Sequence, residues 1–245
     1  MMARKRKGID IYQGRDPREI PTYGIREASH LLKIPPATLN SWIRGRKYPT
    51  ERFGTRKFEP LIMLPDPDLP LLSFVNLIEA HVLDAIRYKD KIKLPRVRSA
   101  ITHLREKYNS EHPLVEFKFL HDGIDLFTDI AKDLVNVSSG GQLAMRAILS
   151  AYLKRIARDP QGSAIALYPY LKRHPQHVEE QKLVLIDPRI SFGKPILVGV
   201  GVPTAVIADR FSAGEKVGEL AKDYGCEASE IKKAIGYERA LPKAA

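Results

Sequence analysis

Apolar residues recur at helical spacing near the start of the chain. The first apolar face consists of residues three or four positions apart: Ile25, Ala28, Leu31 and Leu32. This spacing predicts an α-helix. The segment 33–35 breaks that helix at Pro35, and Pro36 suits the first position of a second helix because its missing N–H is not needed there. The second helix is predicted to reach about Arg44, and Gly45 is expected to end it as a left-handed cap.

The second helix has an inner and an outer face. Leu39, Trp42 and Ile43 are expected to point inward, and we assign Trp42 to packing because a large aromatic at this spacing belongs to a core. The polar residues of the outer face are Thr38, Asn40, Ser41 and Arg44. A hairpin-like stretch follows at 53–58. Two short helices, a tight turn and a basic hairpin compose a winged helix-turn-helix, whose second helix enters the major groove.

The middle of the chain is predicted to be mainly helical. A helix over about 71–88 has a broad apolar face, which predicts either a dimer surface or burial in its own module. Further helices are predicted from Leu94 to Tyr108 and over 143–156, and a short strand over 163–168. The apolar stretches at 115–120 and 124–127 flank His121-Asp122-Gly123, which is typical of a hairpin turn. The order of helix and hairpin repeats that of the first module, so a second winged helix is possible.

The last part of the chain alternates between short strands and helices. Apolar runs at 183–186 and 195–198 predict small strands. Three helices are predicted over 204–213, 216–224 and 228–239, with glycine stops at Gly214 and Gly225. The last two helices have helix-turn-helix spacing. These elements predict a mainly α (α+β) fold, built from tandem winged-helix or helix-turn-helix modules with short β-hairpins.

Prolines mark the predicted module boundaries. Three prolines fall within 65–70, which blocks both helix and central strand, and a second polar stretch with a proline covers 173–180. The predicted organisation has four parts: a basic tail at 1–20, a winged helix-turn-helix at 21–66, a helical middle module with the possible dimer surface at 67–180, and a C-terminal module at 181–245.

The charge is concentrated in the first quarter of the chain. The 245 residues carry 40 Lys and Arg against 29 Asp and Glu, a formal net charge of +11, and residues 1–60 alone hold 14 against 6. A basic end on a nearly neutral body is typical of a nucleic-acid reader, because neutralised phosphates release counterions. The alternative is a solvated basic surface that aids solubility. The candidate DNA contacts are Arg26, Thr38, Asn40, Ser41, Arg44, Arg46, Lys47, Arg52, Arg56 and Lys57.

Other chemistries have weak support in the sequence. His174 and His177 are the one near histidine pair, and the single cysteine, Cys226, has no partner for a zinc site or an internal disulfide. The acidic residues at three-four spacing could suggest a two-metal cluster, but a predicted hairpin separates them and surface positions are the simpler interpretation: Asp122, Asp125, Asp129 and Asp133.

Enzymatic and membrane functions are not expected either. The glycines at 193, 199 and 201 match no phosphate-binding fingerprint, and Ser191 lacks the glycines of a nucleophile elbow. No apolar run is long enough to span a bilayer. We therefore expect a non-enzymatic cytoplasmic protein without a metal or other cofactor.

Two segments resemble known families. Residues 23–42 resemble the start of a MerR-type DNA-binding domain. The block 186–195, with Gly201-Val202-Pro203-Thr204 and Gly214-Glu215, resembles the domain-of-unknown-function family 433 found in VapB-type antitoxins. The long coiled-coil helix that usually follows the wing of MerR-type regulators has no counterpart here, which argues against metal or drug sensing.

The resemblance implies a DNA-binding antitoxin of a type II toxin-antitoxin system. Such a protein represses its own operon and neutralises a PIN-like ribonuclease toxin, and its expected partners are operator DNA, that toxin and a second copy of the chain. No catalytic residues follow from the resemblance. Two alternatives stay open: a MerR-like transcriptional regulator without a toxin, and a protein-interaction module that does not bind DNA.

Overall fold

Short helices dominate the architecture. The structure, a computed structural model, describes residues 12–50, 54–87, 94–116, 139–172 and 181–240. These ranges contain eight α-helices and four small sheets, each of two antiparallel strands. The predicted mainly α (α+β) class is confirmed. No helix in the described ranges has the length and apolar character that crossing a membrane requires.

The first elements are the predicted helix pair and hairpin. Strand β1 (Tyr23–Gly24) leads into α1 (Ile25–Leu32), and α2 (Pro36–Arg44) follows a three-residue turn. Strands β2 (Arg46–Thr50) and β3 (Gly54–Phe58) then pair antiparallel. The hairpin thus begins at the end of α2, before the predicted 53–58. The pairing of Arg46 with Phe58 and of Thr50 with Gly54 sets this register.

The predicted left-handed cap at the end of α2 is wrong. Gly45 has a positive φ of 69°, as only glycine adopts readily, but its ψ is −173°. That ψ is extended, so the chain passes directly from α2 into strand β2. The left-handed position lies instead at the end of α1, where Lys33 has φ 59° and ψ 25°.

The middle helices enclose a fully buried helix. Strand β4 (Leu71–Leu72) pairs with β1, and α3 (Phe74–Ile86) begins at a capping box of Ser73 and Asn76. Helices α4 (Leu94–Tyr108) and α5 (Ser139–Leu153) and the hairpin of β5 (Ile156–Arg158) and β6 (Ala164–Leu167) follow.

Helix α3 is not a dimer surface. All thirteen of its residues are buried within the chain itself, including Asn76, Glu79, His81 and Asp84. The prediction of a dimer surface on this helix is therefore wrong, and its alternative, burial in its own module, holds. A helix that is buried on every side belongs to the interior of a fold.

One hydrophobic core extends across the proline-rich segment. It contains residues from Tyr23 and α1, from α3 and α4, and from the β6 strand as far as Ile186. The β1–β4 pairing also joins the two sides of residues 65–70. In the described structure this segment is therefore a loop with core residues on both sides of it, and the domain bounds stay predictions.

The C-terminal part has a second core. Strands β7 (Val184–Leu185) and β8 (Ile196–Leu197) flank a 3₁₀ turn at Ser191–Gly193. Helices α6 (Thr204–Ser212), α7 (Val217–Tyr224) and α8 (Ala228–Arg239) pack around Ile207, Leu220 and Ile231. The three predicted helices are confirmed, and Gly225 ends α7 in the left-handed conformation with φ 64° and ψ 37°.

Several predictions fall outside the described residues. These are most of the 1–20 tail, the hairpin around His121-Asp122-Gly123, the four aspartates at 122–133, the histidines at 174 and 177, and Arg52.

Candidate nucleic-acid interface

The inner face of α2 holds the helix pair together. Leu39, Trp42 and Ile43 are buried in the main core, as the spacing predicts. The carbonyl of Trp42 accepts hydrogen bonds from the backbone N–H groups of Leu61 (2.7 Å) and Ile62 (3.1 Å), which follow the hairpin. The helix end and the return of the chain are thereby fixed to each other, and the outer face of α2 has a defined orientation.

The outer face of α2 is open to solvent. Asn40 and Arg44 are exposed, and Thr38 and Ser41 are half-buried beside them. The Ser41 hydroxyl donates a hydrogen bond to the Thr38 carbonyl at 2.7 Å. Its oxygen can therefore still accept a hydrogen bond from a ligand. Within the described residues, neither Asn40 nor Arg44 has a side-chain hydrogen bond or ion pair. Both side chains are available to an external ligand.

Arg26 provides a second available cation, on the preceding helix. It is exposed in the first turn of α1 and has no ion pair within the part of the chain that the structure describes. Its neighbour Glu27 binds Lys194 of the C-terminal part, with Oε1 and Nζ 2.5 Å apart. The two adjacent residues thus have different roles, because Glu27 anchors α1 while Arg26 stays free.

The hairpin places four cationic residues directly after α2. Arg46 and Lys47 lie in β2 and Arg56 and Lys57 in β3, where Lys47 is opposite Lys57 in the register. Nine of the ten predicted DNA contacts therefore lie on α1, α2, β2 or β3, and the tenth, Arg52, lies outside the described residues. The backbone forms one continuous helix-turn-helix and ribbon.

The C-terminal part contacts the end of α1 and the turn that follows it. The Tyr237 hydroxyl donates to the carbonyl of Leu31 at 2.9 Å, at the end of α1. The Lys33 ammonium donates to the carbonyls of Tyr237 and Ala240 and lies 4.0 Å from the centre of the Tyr237 ring. His30 Nε2 is 3.1 Å from Glu238 Oε2. The turn between α1 and α2 is thus fastened to the last turn of α8.

Two ionisable side chains at this junction, Lys33 and Glu238, have shifted pKa values. Lys33 is only 2% exposed, and burial lowers its pKa to about 8, although the Glu238 carboxylate opposes the shift. Burial alone would raise the pKa of Glu238, but hydrogen bonds from His30 and Thr204, together with the charges of His30 and Lys33, outweigh it and the pKa is lowered. The sequence pattern did not indicate these residues, because a lysine between two helices is usually a solvated turn residue.

The described residues contain no cluster of side chains suited to bind a metal ion. No group of three or more His, Cys, Asp or Glu side chains there could hold a metal ion. Ser191 and Gly193 form a tight turn with positive φ.

Two family models match separate segments. Residues 21–101 match a family described as "Putative DNA-binding HTH domain", and residues 184–237 match one described as "Protein of unknown function (DUF433)". The first match begins before α1, crosses the proline-rich loop and ends within α4. The described fold contains a helix-turn-helix, and one segment of the chain is similar to each of these two families. The MerR-type likeness stays a prediction.

Similar proteins match this chain over most of their length. The chain is 29% identical over 234 residues to a protein named "Putative antitoxin VapB45" of Mycobacterium tuberculosis, which covers 89% of this chain and 93% of the relative. It is 27% identical over 230 residues to the uncharacterized protein Rv2308 of the same organism, with 91% of each covered. The crystal structure of Rv2018, also from Mycobacterium tuberculosis, superposes with a TM-score of 0.62 at 23% identity and covers 89% of this chain and 98% of that one.

Proposed function

We propose that this protein is a DNA-binding antitoxin, which represses its own operon and neutralises a PIN-like ribonuclease toxin in the cytoplasm. The observation that carries the DNA-binding part is the exposed outer face of α2, where Asn40 and Arg44 have no partner among the described residues. The match to a family described as DNA-binding supports it. The relative named as an antitoxin supports the toxin-neutralising part.

In this proposal α2 is the recognition helix of a winged helix-turn-helix. Asn40 suits adenine, because its amide can bond N6 and N7 together, and Arg44 suits O6 and N7 of guanine. Thr38 and Ser41 contact the same groove. Arg26 on α1 binds phosphate. The β2–β3 ribbon acts as the wing, and its cations bind phosphates on either side of the groove: Arg46, Lys47, Arg56 and Lys57. Arg52, which lies outside the described residues, is proposed to bind phosphate as well.

The operator is expected to be an inverted repeat. A two-fold homodimer presents two identical recognition helices, which requires two half-sites related by the same symmetry. Because α3 is buried within the chain, the dimer contact must use another surface.

The DNA-binding part is tested on the DNA upstream of the operon. Full-length protein is titrated against labelled operator and against scrambled DNA by fluorescence anisotropy at several salt concentrations. We expect Asn40→Ala and Arg44→Ala to weaken operator binding by roughly 5- to 150-fold each, the range of one bidentate base contact. Arg56→Ala should weaken both DNAs equally and reduce the salt slope by about one.

The matched control is Lys232→Ala on α8. Lys232 is exposed, like Arg44, and lies on the C-terminal helix. Removing it lowers the net charge equally, so its affinity for operator should stay near that of the wild type. Affinity that does not depend on salt, or equal losses for Arg44→Ala and Lys232→Ala, would contradict the proposed interface.

The antitoxin part requires a PIN-like ribonuclease encoded beside this gene, and the product of the adjacent gene is the protein to test. The purified full-length chain is expected to bind that ribonuclease and to suppress its cleavage of RNA. Operator binding without any effect on a neighbouring ribonuclease would instead indicate a transcriptional regulator without a toxin. Ribonuclease binding without operator binding would indicate an interaction module.

A further inference from the structure

A turn in the C-terminal part has an unfavourable backbone conformation. Ser191, Phe192 and Gly193 are consecutive and all have positive φ, at 49°, 53° and 74°. Residues with a Cβ avoid this region, because the Cβ comes too close to the following carbonyl oxygen. Two such residues in succession persist only where the surroundings impose the conformation, and strain of this kind concentrates at functional sites.

Contacts on both sides hold this turn in place. The Arg189 guanidinium donates to the two Asp187 carboxylate oxygens at 2.9 and 2.6 Å. The Gly193 carbonyl accepts a hydrogen bond from the buried Tyr23 hydroxyl at 3.1 Å. Lys194 is paired with Glu27. The turn is therefore a rigid projection, fixed to the start of α1.

The turn exposes apolar side chains that the fold does not use. Phe192 is 69% exposed and Ile190 is 41% exposed, and both are among the largest exposed hydrophobic side chains of the described residues. A phenylalanine that stays in water contributes little to the core, so packing does not explain why the strained position carries it. An aromatic side chain on a rigid projection is typical of the central contact of a protein interface.

Cations surround the apolar pair. Arg189 and Lys194 flank it in the sequence with side chains 52% and 55% exposed, whereas the side chains of their carboxylate partners, Asp187 and Glu27, are 5% and 31% exposed. The outward surface of the turn is thus apolar at its centre and positive at its rim. Its complement is an apolar pocket with acidic residues around the opening.

We propose that the turn 189–194 is a docking site for a protein partner with an acidic rim around an apolar pocket. The inference rests on the proposed function, in which that partner is the neighbouring ribonuclease. DNA is the less suitable occupant of the turn. Phosphates would bind the two cations, but they offer nothing to the exposed apolar side chains of Phe192 and Ile190.

The test compares full-length variants for binding to the purified ribonuclease by titration calorimetry. Phe192→Ala should weaken binding at least tenfold, as expected for a central aromatic contact, and added salt should weaken the wild-type complex. The matched control is Val206→Ala, since Val206 is 42% exposed on α6, and its affinity should equal that of the wild type. Thermal unfolding and operator affinity of both variants should be unchanged.

Each other result has a distinct meaning. A wild-type complex that Phe192→Ala leaves intact would overturn the docking site while the antitoxin proposal stands. Absence of any wild-type complex would overturn both. Loss of operator affinity in Phe192→Ala would make the turn a DNA contact and refute the proposal. If Phe192→Ala lowers the melting temperature, a photo-crosslinking amino acid at position 192 replaces it, and no crosslink to the bound ribonuclease would refute the docking site.

Discussion

The close approach of Tyr23 to Gly193 gives a sharp stability prediction. A Cβ added at Gly193 would lie 2.0 Å from the Tyr23 hydroxyl oxygen and 3.0 Å from the ring carbon that carries it. The first distance is shorter than packed atoms allow and the second is unusually tight, and the tyrosine is buried. In Gly193→Ala, therefore, Tyr23 must move and lose its hydrogen bond to the Gly193 carbonyl.

A substitution at Gly201 measures how much the positive φ alone contributes to the loss of stability. Its φ is 75°, almost equal to the 74° of Gly193, but a Cβ there would have no atom within 4 Å. Gly201→Ala should cost about 1 kcal/mol, the penalty for a left-handed residue with a Cβ. Gly193→Ala should cost about 4 kcal/mol, since overpacking and a broken buried hydrogen bond add roughly 1–3 kcal/mol each.

Urea unfolding of four variants measures these terms. Tyr23→Phe alone should cost about 1 kcal/mol through the lost hydrogen bond. In the Tyr23→Phe background the closest atom is gone, so Gly193→Ala should cost about 2 kcal/mol less than in the wild type. Costs that add within about 0.5 kcal/mol, or equal costs for Gly193→Ala and Gly201→Ala, would refute the inferred contact.

Three further predictions concern buried polar groups. Burial lowers the pKa of Lys33 to about 8 from 10.5. Between pH 8 and 10.5 the unfolded chain keeps the lysine proton that the folded chain has lost, so the free energy of unfolding should rise by roughly 3 kcal/mol over this interval. Urea unfolding of Lys33→Met should lack this rise. Burial likewise lowers the pKa of His81 to about 4 from 6.5, so stability should fall by roughly 3 kcal/mol as pH drops through that interval, and His81→Gln should remove that part of the loss. Tyr237→Phe leaves the buried Leu31 carbonyl without its donor and should cost about 1–2 kcal/mol in thermal unfolding, whereas no loss would show that water replaces the bond.

Local patterns identified most helices of this fold. The apolar spacing of α1 and the proline at the start of α2 are properties of neighbouring residues, so the sequence alone predicts both helices. The three C-terminal helices are predicted for the same reason, with Gly225 as a stop. The outer face of α2 follows from the same spacing, and the structure leaves it exposed.

Contacts between distant segments were not predictable in this way. Strands β1 and β4 have two residues each and pair across 47 positions, so neither has a detectable pattern of its own. The complete burial of α3 depends on α5 and the other elements around it, so its broad apolar face alone could not decide between a dimer surface and burial in its own module. Lys33 was missed because its burial comes from Tyr237 and Ala240, more than 200 residues further along the chain.

Hydrogen bonds of Lys33 connect the segment that matches the helix-turn-helix family to the segment that matches the DUF433 family. The turn that orients α2 relative to α1 contains a lysine whose charge is satisfied by carbonyls and a ring of the C-terminal part. Without residues 181–245, that ammonium and the Leu31 carbonyl would lose these partners. We therefore expect an isolated segment 21–101 to hold α2 less firmly against α1. If α2 is the recognition helix that we propose, operator affinity should require the whole chain and not its N-terminal match alone.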